Sequence, residues 1–120
     1  MKENDECCNP AKKRVSAIDF LMNQRYVGRD LKGYNADVIK TPKGEVTIFW
    51  KKEGEKIEMR YIAPTCFTTR IALEAVCEWV SNGEVKSCEE AIERLKGIKG
   101  YKVTEDVENL VREVFERIGK

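Results

Sequence analysis

Five cysteines and no histidine set the chemistry open to this 120-residue chain. Without imidazole it lacks the commonest metal ligand and the usual general base near neutral pH. A metal would have to be held by thiolate or carboxylate, and proton transfer would fall to a carboxylate, Lys, Tyr or Cys. Cys66 stands where reaction is favoured. It follows Pro64-Thr65 at the head of a helical pattern, and a helix N-terminus stabilises the thiolate, the nucleophilic form. Such a thiolate can accept a sulfur atom as a persulfide. The alternative is a small thiol packed under the turn, since free Cys is among the most buried residue types. Cys7 and Cys8 are adjacent near the N-terminus, either swinging over to complete a site with Cys66 or standing as unpaired thiols on a tail. Cys77 lies close to the apolar stripe of the long helix and reads as core. Cys88 falls in the first turn of a shorter helix, open to exposure.

The elements that must position these thiols are legible from period and punctuation. Asn9-Pro10 gives a helix start, followed by a stripe of Val15, Ile18 and Met22 widened by Ala17 and Leu21, with an end near Arg25 to Gly28. Residues 28–35 read as a polar loop. Residues 36–41, 45–51 and 56–62 read as three short strands joined by tight turns, with Val46, Ile48 and Trp50, then Ile57, Met59 and Tyr61, on one side. Thr65 caps a helix over 66–82, stopped at Gly83, with Ile71, Ala72, Ala75, Val76, Trp79 and Val80 inward. Ser87 to Glu90 forms a capping box before Ala91, Ile92 and Leu95. Thr104 caps a last helix carrying Val107, Leu110, Val111, Val114, Phe115 and Ile118. The fold class is α+β: a three-stranded antiparallel sheet with helices packed on one face. Residues 1–9 read as a flexible N-terminal arm and 10–120 as one domain.

Composition excludes several functions. Basic and acidic residues number 22 and 21, and they alternate along the chain. That argues against a nucleic-acid surface, which needs a basic excess on one face. No apolar run reaches the roughly 18 to 20 residues that cross a bilayer, and the polar N-terminus lacks a secretory signal. An odd number of cysteines at no framework spacing points to reduced thiols and a cytoplasmic location. No Gly-rich phosphate loop, Ser/His/Asp set or paired-carboxylate cleft is present, so the chain is not expected to be an enzyme.

Three segments in order, AIDFLMNQRYVG (17–28), KGEVTIFWKKEGEKIEMRYIAPTC (43–66) and ALEAVCEWVSNGEVKSCEEA (72–91), resemble the iron–sulfur cluster scaffold family of the NifU N-terminal/IscU type. The resemblance covers about Val15 to Ile118. It implies the same sheet-and-helix fold and a site where three cysteines and an Asp hold sulfur or metal, with a His beside the last Cys. Cys66 matches the middle cysteine. Lys43, Gly44 and Glu45 stand where the family has Cys-Gly-Asp, and Thr104 and Glu105 where it has His-Cys. The chaperone-recognised Leu-Pro-Pro-Val-Lys stretch is replaced by residues 97–103.

The resemblance therefore implies a divergent assembly scaffold or a sulfur or metal carrier. Cys66 would be the cofactor-binding residue, and Cys66, Glu45 and Glu105 the metal ligands, with Lys43 near the thiol. The cofactor would be an iron–sulfur cluster or a single zinc or iron ion, and the partner a cysteine desulfurase or another assembly protein. One thiolate and two carboxylates fall short of the four strong ligands a [2Fe–2S] cluster takes, and a zinc or iron(II) ion would leave one position to water. Glu45 and Glu105 read alternatively as a solvated strand acid and a first-turn acid favoured by the helix dipole. The alternative function is a non-catalytic adaptor that kept the fold and its partner surface.

Overall fold

Alternating apolar residues build the sheet. β1 (Asn35–Thr41), β2 (Gly44–Glu53) and β3 (Lys56–Ile62) form an antiparallel meander in the order β1-β2-β3. The computed structural model from which this is read describes residues 15–28, 32–42, 44–63 and 67–119. The register pairs Ile39 with Val46, Ile48 with Tyr61 and Trp50 with Met59, so these side chains share one face. Trp50 is half-buried, and the other five are at most 2% exposed. The expected strands are present, β1 and β2 running slightly longer than the pattern suggested. Gly54 takes a left-handed φ of 65° at the tight β2–β3 turn, a conformation glycine adopts without penalty.

Among the described residues four helices lie on that side, α1 (Ala17–Met22), α2 (Phe67–Ser81), α3 (Cys88–Lys96) and α4 (Glu105–Ile118), with α2 and α4 packed on the sheet itself. α2 lies on β3 and touches α1, α3 and α4, while α4 also packs against β1. All six residues expected inward on α2 are buried, as are all six on α4. Thr104 caps α4 by accepting from the Val107 N–H. The capping box before α3 is only half formed. Ser87 accepts from Glu90 N–H, but the Glu90 carboxylate takes the N–H of Lys86 rather than that of Ser87.

The first helix departs from expectation. Asn9-Pro10 and the N-terminal arm lie outside the described residues. α1 begins at a capping box between Ser16 and Asp19 and ends at Met22, short of the Arg25 to Gly28 expected. Val15, Ile18 and Met22 are 50%, 65% and 73% exposed, so the expected stripe faces out. The cap sets the phase: Val15 precedes the helix, and the side turned inward carries Ala17, Phe20 and Leu21 at i, i+3 and i+4. Phe20 is the anchor, 1% exposed and edge-on to Trp79 with ring centroids 6.4 Å apart. Its ring buries more apolar area than Ile18 would, which decides which flank wins.

After α1 the chain runs back along the free side of β3. The Gly28 N–H donates to the Tyr61 carbonyl at 2.6 Å, and the Tyr61 N–H donates to the Tyr26 carbonyl at 2.9 Å. What holds this strap is a side chain that the apolar pattern of α2 concealed. Glu74 is fully buried, and its carboxylate accepts from Arg25 N–H (2.6 Å), Tyr26 N–H (3.3 Å) and the Tyr61 hydroxyl (2.9 Å). Without it the buried Tyr61 hydroxyl and two part-buried backbone donors lose this acceptor, each loss costing on the order of 1–3 kcal/mol. Glu74→Ala is expected to destabilise the domain by about 3–5 kcal/mol in urea unfolding. Tyr61→Phe, which leaves both backbone donors satisfied, should cost only about 1 kcal/mol. Similar losses for the two variants would contradict this account.

Candidate functional site

Three stretches of chain meet at one end of the sheet. The β2–β3 register ends with Thr47 opposite Ile62, and Glu45 lies two residues further along β2, at the end of the sheet where β3 finishes. The β1–β2 turn borders the first half of α4: Ile39, Lys40, Thr41 and Pro42 share a cavity of about 220 Å³ with Asp106, Asn109, Leu110 and Glu113. The run into α4 is tied to the head of α2, because the Tyr101 hydroxyl donates to the Thr68 carbonyl at 2.6 Å. The last-helix side thus borders the hairpin and, through Tyr101, the head of the long helix.

Cys66, Lys43, Cys7 and Cys8 lie outside the described residues. The chain on either side of 64–66 is described: Ala63 is buried, and Phe67 is 61% exposed at the first position of α2. Beside Ala63, a cleft of about 250 Å³ is lined by Gln24, Val27, Tyr61, Ile62 and Arg70. Its strap wall is the segment that Glu74 secures. Strand alternation sends Glu45 to the face away from the helices, with Thr47 and Phe49, opposite Lys40 and exposed. Glu105 is exposed in the first turn of α4, on the helical side of the sheet. Those two carboxylates leave the sheet in different directions. Among the described residues no three His, Cys, Asp or Glu side chains gather as a metal-binding group.

The two described thiols are not poised to react. Cys77 is buried as expected, and burial, reinforced by the charge of nearby Glu74, pushes its thiol well above the usual range. Cys88 is half-buried rather than open, and burial with a hydrogen bond to Glu89 raises it too. Neither has the thiolate character of a reactive site.

Glu74 and the strap escaped the sequence reading. The available signal was one acid inside Ala72-Leu73-Glu74-Ala75-Val76, a helix stretch with no polar side, where an unpaired carboxylate would be too costly to bury. No protein-family model matches the chain, and no curated protein does. Among the described residues no helix is long and apolar enough to cross a membrane.

Burial also raises the Tyr61 phenol, with the Glu74 charge and hydrogen bond adding to it. The fold therefore keeps the Cys77 and Tyr61 protons at pH values where an unfolded chain gives them up. Their stabilisation is complete below about pH 8.5 and is lost as pH climbs through the raised values. The unfolding free energy from urea titrations should fall from pH 8.5 to 10.5, by up to about 1.4 kcal/mol per pH unit for each group once the pH passes its unfolded-state value. Cys77→Ala should flatten the lower part of that decline and Tyr61→Phe the part above about pH 10.

Proposed function

We propose that this chain is a divergent member of the iron–sulfur scaffold family that works as a sulfur carrier, with Cys66 as the acceptor. The Cys66 thiolate attacks the outer sulfur of a persulfide on a cysteine desulfurase. The donor's S–S bond breaks, its thiolate leaves with the electron pair, and Cys66 keeps the transferred sulfur as its own persulfide. The meeting of the hairpin, the head of α2 and the run into α4 at one end of the sheet carries this reading, since the resemblance requires those elements to be neighbours. The raised Cys77 and Cys88 thiols support it by leaving the reactivity to cysteines elsewhere in the chain.

Cys66, Glu45 and Glu105 alone do not fit a [2Fe–2S] cluster, which calls for four strong ligands. A zinc or iron(II) ion would find one thiolate at Cys66 and carboxylates at Glu45 and Glu105, with one position left to water. The outward direction of Glu45 favours the second reading, an adaptor that kept the fold and a partner surface without ligation.

Anaerobic incubation of the full chain with a cysteine desulfurase and cysteine, followed by intact mass measurement, tests the carrier. The expected result is a mass gain of one sulfur atom that dithiothreitol reverses and Cys66→Ser abolishes. An unchanged mass, or a gain that persists in Cys66→Ser, removes the carrier reading. Stoichiometric zinc or iron lost on Cys66→Ala would remove the adaptor reading.

A further inference from the structure

The two edges of the sheet are treated differently. On β3, each outward-pointing backbone group of Met59 and Tyr61 has a partner. The Met59 N–H donates to Ser81 Oγ at 3.0 Å, the Met59 carbonyl accepts from the Arg60 guanidinium at 2.7 Å, and the strap takes both groups of Tyr61. Blunting of this kind is how sheets avoid unwanted pairing.

These bonds also fix the parity of the sheet. Met59 and Tyr61 point away from β2, so the Trp50–Met59 and Ile48–Tyr61 pairs are the non-hydrogen-bonded ones, and Trp50 and Ile48 bond instead to β1. Their partners there are Asn35 and Asp37, with Ile39 following in step opposite Val46. Ala36, Val38 and Lys40 therefore aim their N–H and carbonyl groups outward. None of these meets a partner among the described residues, and all three residues are exposed, Val38 to 51%. α4 packs against β1, and at the far end of this edge Ile39, Lys40, Thr41 and Pro42 share a cavity of about 220 Å³ with Asp106, Asn109, Leu110 and Glu113. Asp106 joins no hydrogen bond or ion pair among the described residues, whereas Glu113 pairs with Arg117 at 3.3 Å.

We propose that the groove between β1 and α4 binds an extended segment of a partner protein, which adds to β1 as a fourth strand. Backbone bonds to Ala36, Val38 and Lys40 hold the segment, and alternate side chains read the groove. Side chains on the helical side meet Asp106 and Glu113 and are basic. Those on the other side lie against Ala36, Val38 and Lys40, and are small or β-branched beside the first two and not basic beside Lys40. Charge complementarity on the helical side favours this occupant: the Asp106 carboxylate has no partner among the described residues and Glu113 adds a second acid, while Arg117 is already engaged by Glu113 and Asp37. The inference is independent of any chemistry at Cys66.

Seven-residue peptides, matching the length of β1, test it against the full chain, one alternating Arg with Val and one alternating Glu with Val. Amide NMR is expected to show saturable shifts and slowed hydrogen exchange at Ala36, Val38 and Lys40 with the Arg peptide. N-methylation of its strand-pairing amides should abolish them. Asp106→Asn with Glu113→Gln should weaken binding by roughly two- to fivefold and reduce its salt sensitivity. Val38→Pro removes one outward donor without touching the β1–β2 ladder and should lose binding while β2 and β3 keep their protection. Equal binding of the N-methylated or Glu peptide overturns the proposal, as does an absence of shifts along β1. Edge protection that instead rises with protein concentration alone, with a doubled mass, assigns the edge to a second copy and overturns it too.

Discussion

A single carboxylate in the interior governs how the sheet and helices are joined. Glu74 sits on the central helix with no solvent exposure and gathers donors from the strap and from β3. Folding takes the Tyr61 hydroxyl out of water and shields the two backbone donors in part, and the same two oxygens receive all three. The arrangement makes α2 the hub. Its apolar residues hold the sheet by area, and its one buried acid holds the strap by direction. Arg25 adds a longer contact at 3.9 Å to Glu78, one turn further along the same helix. Hydrophobic burial alone would leave the strap free to slide, since it contributes few large side chains to the core. Directional bonds are what give it one register.

Most of the fold was legible because most of it obeys a local period. The alternation of Val46, Ile48 and Trp50, and the helical spacing of Val107, Leu110, Val111 and Val114, survive in the folded chain as buried faces. What failed was phase and long-range pairing. Ile18 and Met22 look inward on a helix of unlimited length, but a six-residue helix started by Ser16 and Asp19 turns Phe20 inward instead. The strap left no local trace, because a parallel pairing of Val27 with Tyr61 depends on residues 34 positions away, by subtraction of 27 from 61. A buried acid is hidden for a related reason: its donors are backbone groups, which no side-chain pattern announces. At the candidate site, chemistry was readable where geometry was not. Cys66 stands out by residue type and place at a helix head, but the direction of Glu45 follows only from knowing which face of β2 is covered.

The thiols illustrate how placement divides identical side chains. Cys77 is enclosed beside a carboxylate, so the field around it and the lack of water both favour the neutral form. Cys88 stands in the first turn of α3, where the dipole would assist ionisation, yet burial and the adjacent Glu89 outweigh that help. Helix position alone therefore does not make a reactive cysteine. The balance of charges around it does, and in this chain acids dominate around both thiols.

The strap also imposes an order on biosynthesis. Residues 25 and 26 leave the ribosome early, but the carboxylate that receives them is 49 and 48 positions later. At ordinary elongation speeds that delay is roughly 3–10 s, long compared with hairpin or helix formation. For most of it, the strap has neither Tyr61 nor Glu74 to bond to. The meander can zip up as it emerges, with its third strand still bare along one side. Closure then waits for the translation of α2, and a later-made helix decides when the earlier-made strap finds its place.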